Sequence, residues 1–166
     1  KPKVRLLAAM FEMHHQFSEQ LDEELVGVLS LNYDDLAECA LTDTWGGFQY
    51  GFQIRNLPPA KAVYRVDQGS ILLLKLHGSL TWTNEFPPSF TASMKADPDM
   101  LLWIPPGVEK NRGRYPFNVL WGKAREILTC DILRVVGCSL SRNDWQLISL
   151  LHSAKRNPNL TIELVD

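Results

Sequence analysis

A chain of 166 residues, 45% hydrophobic and 22% charged, is bounded to about one ordinary globular domain, and this composition excludes the disordered, collagenous and disulfide-framework classes. The 17 Lys and Arg nearly cancel the 19 Asp and Glu, so a net charge of −2 leaves no strong field to hold a polyanion, and direct nucleic-acid binding is not expected. Cys39, Cys130 and Cys138 have neither CxxC spacing nor an even count, which fits a reducing cytoplasm, and the longest apolar run, Leu6–Phe11, is far short of the roughly 20 residues that span a bilayer.

In chain order, Val4, Leu7, Phe11, His14 or His15, Phe17, Leu21 and Leu25 recur at mostly three- and four-residue spacing, which predicts an amphipathic helix or helix pair over 4–25. The sequence starts without a methionine inside that pattern, as a piece of a longer polypeptide would. Val26–Leu31 (VGVLSL) predicts a strand, Asn32-Tyr33-Asp34-Asp35 a tight turn, and Leu36–Ala40 a helix. Residues 42–69 carry the adjacent Pro58 and Pro59, several glycines and no sustained period, so they predict a loop-rich insertion with a hairpin near Tyr64–Val66.

Ile71–Leu76 (ILLLKL) has the composition of a strand buried on both faces; it ends in His77-Gly78-Ser79, and Leu80–Thr83 continues as a second extended piece. After an irregular stretch, Leu101–Ile104 predicts a short strand stopped by Pro105-Pro106, 110–115 a polar loop, and Phe117–Leu128 a helix. The final stretch predicts strand Ile132–Val136, a turn over 137–141, a helix from a capping Asn143 to Lys155, and strand Leu160–Val165. Apolar strands alternating with helices argue for one α/β domain over 1–166: a doubly wound, Rossmann-like, mostly parallel sheet with helices on both faces.

Ligands of such sheets bind beyond the carboxyl ends of the strands. Three strand ends carry polar groups unlike the runs before them: Asn32 with Asp34, His77, and Gly137 with Ser139. Each has an ordinary structural reading as well. Asn32 and Asp34 suit an Asx-type turn capping the next helix, His77 a satisfied buried imidazole, and Gly137 and Ser139 a turn with its cap. Read functionally, a glycine turn before a helix suits a phosphate or ribose, and an imidazole at a strand end suits proton transfer.

Ser30-Leu31-Asn32-Tyr33-Asp34-Asp35-Leu36 with Glu38, then Lys75-Leu76-His77-Gly78-Ser79-Leu80, then Val135-Val136-Gly137-Cys138-Ser139-Leu140, in that order, resemble the signature stretches of sirtuin-like NAD-binding domains. The resemblance covers 26–40, 71–82 and 117–166 and is nearest the zinc-lacking bacterial branch. It implies NAD as substrate, with Asn32 and Asp34 at the nicotinamide end and Asn32 orienting the nucleophile or ribose. It places His77 on the ribose hydroxyls, Gly137 and Ser139 along the phosphates and the second ribose, and Asp166 near the adenosine.

The same resemblance places a first strand and Gly-rich loop ahead of Lys1. The four-cysteine zinc module and the Gln before the Asn that mark protein deacylases are missing, since position 31 is Leu. The implied activity is an NAD glycohydrolase releasing nicotinamide and ADP-ribose, as the effector of a bacterial anti-phage protein with further domains or identical partners. Rival readings are a non-catalytic NAD or ADP-ribose sensor, and a deacylase or ADP-ribosyl transferase. No metal is expected, because His14, His15 and His152 lack a third ligand at a useful spacing. Lys110, Arg112 and Arg114 read as a solvated loop, and Trp121 with Trp145 as a packing or oligomer face.

Overall fold

A computed structural model describes residues 2–57, 65–66, 71–91, 97–104, 113–138 and 144–165. These residues form a mixed α/β structure of four α-helices and short strands in two-stranded sheets, divided into two compact units, 1–120 and 121–166.

In the first unit, α1 (Pro2–Leu21) packs on α2 (Leu36–Trp45), with the rings of Phe11 and His15 lying 5.6 and 5.3 Å from that of Trp45. The helix ends on Asp22 in the left-handed region (φ 54°), and the Glu23 amide closes back onto the Ser18 carbonyl at 3.0 Å. Phe17, predicted on the apolar stripe, is instead exposed. The partner helix has 10 residues against 20 in α1, so it covers only part of that face.

β1 (Gly27–Ser30) and β2 (Leu72–Lys75) pair in parallel, from Gly27 with Leu72 to Ser30 with Lys75. On the other side of β2, Gln49 makes a parallel bridge, its amide donating to the Ile71 carbonyl and its carbonyl accepting from the Leu73 amide. With neighbours on both sides, β2 is the inner strand, which accounts for its apolar run: Leu73, Leu74, Lys75 and Leu76 are all fully buried. The 42–69 stretch, expected as an insertion, thus begins with the last turn of α2 and goes on to supply core residues Phe48, Tyr50 and Ile54. Val66 bridges Phe48 in parallel rather than closing the expected hairpin; Tyr64 lies outside the described residues.

β3 (Gly78–Thr83) runs antiparallel to β4 (Leu101–Trp103), with an irregular register between its paired ends. Trp82 of β3 is fully buried, its ring edge-on to those of Tyr50 and Phe52 at 4.8 Å. Such tilted aromatic contacts add about 0.5–1.5 kcal/mol each beyond burial. α3 (Phe117–Ile127) buries Phe117 and Leu120 in its first turn.

In the second unit, β5 (Ile132–Val136) pairs in parallel with β6 (Thr161–Val165) in unbroken register, and α4 (Trp145–Ala154) connects them. The cap of α4 is Asp144 rather than the expected Asn143: its carboxylate accepts from the Leu147 amide at 3.1 Å, and an anion there also favours the helix dipole. Asn143 lies outside the described residues. Trp121 is buried whereas Trp145 is exposed, so the two tryptophans do not share one buried face. Asn157 stitches the turn after α4 to the turn before β5, donating to the Thr129 and Cys130 carbonyls and to the Asp131 carboxylate at 3.2, 2.9 and 3.1 Å. No helix among the described residues is long and apolar enough to cross a membrane.

Candidate functional site

The parallel pairing of β1 and β2 fixes where the two strands let go. The last ladder contact is the Leu76 amide on the Ser30 carbonyl, at 3.0 Å. Counting on from the Ser30–Lys75 pair, Asn32 and His77 are both two residues past the paired ends, at the carboxyl side of adjacent strands. This is the side on which parallel sheets bind ligands.

Each departing segment then holds the other. The Tyr33 carbonyl accepts from the Leu80 amide at 3.1 Å and from the Ser79 hydroxyl at 3.4 Å. The Tyr33 hydroxyl donates to the Ile104 carbonyl at 2.6 Å, and the Ile104 amide donates to the His77 carbonyl at 2.8 Å. The Tyr33 ring lies 6.3 Å from the His77 imidazole and edge-on to Trp103 at 5.3 Å. Gly78 adopts φ +87°, and a Cβ there would stand 2.3 Å from the Leu102 carbonyl oxygen, so only glycine lets the chain turn from His77 into β3 so close to β4.

The side chains differ in access. Asn32 is exposed, and its backbone N–H donates to the Ser30 hydroxyl at 3.3 Å. Asp34 is exposed and its carboxylate accepts from the Leu36 amide at 3.2 Å, which is the Asx-type turn that its position before a helix allows. His77 is 9% exposed.

Beneath this turn lies a charged cluster of Lys75 and Glu38 with the Tyr50 hydroxyl. Lys75, fully buried, donates through Nζ to the Asp34 backbone carbonyl and to Glu38 Oε1, the latter at 2.8 Å. The Tyr50 hydroxyl donates to the same Glu38 oxygen at 3.1 Å, and Glu38 Oε2 has no hydrogen-bond partner among the described residues. Burial pushes the Glu38 carboxyl up from its ordinary value despite the opposing pull of Lys75. Burial and the adjacent carboxylate push the Tyr50 phenol well above its ordinary value, so it is the donor in that contact. The signal was present in ILLLKL: a lysine inside a doubly buried strand requires an acceptor, and Glu38 in the first turn of a nearby helix supplies it.

Gly137 belongs to the second unit, where it follows β5 with φ +56° and its amide donates to the Val165 carbonyl at 3.3 Å. Among the described residues, an added Cβ there would meet no atom within 4 Å. Ser139 and Asp166 lie outside the described residues. Among the described residues, no group of three or more His, Cys, Asp and Glu could hold a metal ion. No protein-family model matches the chain, and a search of the curated proteins returns no match either.

Proposed function

We propose that the chain cleaves NAD between nicotinamide and ribose, with Asn32 and His77 as the reacting pair. The observation that carries this reading is that the Asn32–Asp34 turn and the His77–Ser79 bend leave adjacent parallel strands on the same side and are hydrogen-bonded to each other. Together with the sirtuin-like signature, that placement favours a dinucleotide at this edge and a doubly wound, mostly parallel sheet as the fold that holds it.

The leaving group already carries a positive charge, so the bond to C1′ breaks with its electron pair moving onto the pyridinium nitrogen, and an oxocarbenium-like ribose remains. This parallels glycoside hydrolysis without the need for an acid on the leaving group. The exposed Asn32 amide would hold a water against C1′. As the water oxygen bonds to C1′, its proton passes to the imidazole of His77 and then to solvent, leaving ADP-ribose and neutral nicotinamide. Such base assistance contributes about 10²–10⁴ in rate. Positioning of water and ribose contributes the rest.

The additional domains or identical partners and the anti-phage role belong to the same reading and rest on the resemblance, while the cytoplasmic location rests on the number and spacing of the cysteines. A second reading, an NAD or ADP-ribose sensor without turnover, is favoured by the limited exposure of His77. Nicotinamide release from NAD, measured by chromatography for the protein, Asn32→Ala and His77→Ala alongside thermal melts, tests both. Release by the parent and its loss in both folded variants supports hydrolysis. Release surviving both substitutions overturns the assignment, and NAD binding without release replaces it with the sensor.

A further inference from the structure

Lys75 occupies a position where an apolar residue would be cheaper. Burying an ammonium and a carboxylate carries a desolvation penalty that their attraction offsets only with complete hydrogen bonding, and a hydrophobic replacement is often neutral or stabilising. Here the bonding is incomplete, because Glu38 Oε2 is buried without a partner among the described residues. Stability therefore does not explain the cluster.

Its connectivity does offer an explanation. Lys75 is two residues before His77, on the strand that delivers the imidazole, and its ammonium reaches across to the backbone carbonyl of Asp34, two residues after Asn32. Glu38, in the first turn of α2, holds the ammonium from the other side, and Tyr50 fixes the carboxylate oxygen that does so. The Asp34 carbonyl is a main-chain atom, so the contact constrains the path of the turn whatever side chains it carries. One ammonium thus references the turn bearing Asn32 to the strand bearing His77.

We propose that Lys75, oriented by Glu38 and Tyr50, is a positioning residue that sets the Asn32–Asp34 turn against His77 for NAD cleavage. This rests on the NAD-cleaving reading above. Lys75 touches no substrate; it acts through the Asp34 carbonyl. Reaction geometry tolerates little error, and a displacement of about 1 Å lowers a rate by about 10²-fold.

The test uses Lys75→Met, which keeps the unbranched stem one atom shorter and without its charge, and Lys75→Met/Glu38→Gln, which also removes the carboxylate left unpaired and so retains a folded protein should the single variant unfold. Steady-state nicotinamide release and amide hydrogen exchange are measured well below the thermal midpoint of each. The expected result for the folded variants is a kcat lowered by about 10²-fold with KM for NAD changed less than about threefold. The Asn32, Leu36 and Leu80 amides should exchange at least about tenfold faster while those of Leu73 and Leu74 in β2 keep their protection. A merely structural ion pair would loosen β2 and α2 together and leave kcat of the folded fraction unchanged. A double variant with parental kcat and parental exchange at Asn32, Leu36 and Leu80 overturns the proposal. A parent that releases no nicotinamide overturns the NAD reading instead, and the exchange rates at those three amides then decide whether Lys75 ties the turn.

Discussion

Gly78 is a position at which one methyl group should do heavy damage. It joins His77 to β3 at φ +87°, a conformation that costs an L-residue about 1–2 kcal/mol. Space compounds the torsion. An added Cβ would lie 2.3 Å from the Leu102 carbonyl oxygen and 2.7 Å from the Trp103 Cα, both backbone atoms that no rotamer change can move. Relieving the overlap means driving β4 away from β3, with overpacking strain of about 1–3 kcal/mol. It also strains the Ile104–His77 hydrogen bond, worth about 1 kcal/mol. The sum for Gly78→Ala is about 4 kcal/mol, a large share of the roughly 5–15 kcal/mol that holds a domain folded.

Gly46 provides the internal control. It too sits at positive φ, +73°, where it caps α2, but an added Cβ there meets nothing within 4 Å. Gly46→Ala carries the torsional part alone, about 1–2 kcal/mol. Urea denaturation followed by circular dichroism, with the free-energy differences taken from midpoints at unchanged slope, separates the two contributions. Gly78→Ala falling within about 1 kcal/mol of Gly46→Ala would refute the argument from close approach.

Gly122 lies within α3, and an added Cβ meets nothing within 4 Å, so Gly122→Ala should raise stability by about 0.5–1 kcal/mol in the same denaturation series. Asn157→Ala strips the amide that joins the turns flanking α4 and β5 and leaves the Cys130 and Thr129 carbonyls without it, for a loss of about 2 kcal/mol; a loss below about 0.5 kcal/mol counts against that bridge. Glu38 predicts a pH dependence. Its folded pKa lies above the unfolded value near 4.5, so the folded protein binds more protons and its contribution, fully present below pH 4.5, is lost as pH rises through the folded pKa. Glu38→Gln should therefore gain stability relative to the parent across that window, and a difference that stays flat from pH 4 to about 8 contradicts the raised value.

How much of this was legible follows from the range of the interactions concerned. β5 was readable to the residue, because Ile132–Val136 is a local run bounded by Asp131 before it and Gly137 after it. α4 was readable in extent, but its cap was read one position early, because Asn143 and Asp144 are both good capping residues and only the main-chain path selects between them. The 42–69 stretch concealed its core residues for a different reason. Phe48 is tied in by a single parallel bridge to Val66 and Tyr50 by the ring of Trp82, both distant in sequence, and neither contact leaves a periodic trace.

The candidate site shows the same division. That Asn32 and His77 stand at strand ends was legible from the apolar runs before them, whereas their equal distance beyond the last pair depends on the register of β1 with β2, which no local pattern encodes. The Asx turn at Asp34 was legible because it closes within two residues. The ammonium of Lys75 on the carbonyl of that same residue was not, since it crosses 41 residues of sequence. Yet the sequence did hold its trace in energetic form: one charged residue within an inner strand demands a partner, and the demand is met at the single turn on which the proposed chemistry depends. A search for lone charges in doubly buried strands, rather than for further motif residues, is therefore the reading that reaches from this sequence to the geometry of its site.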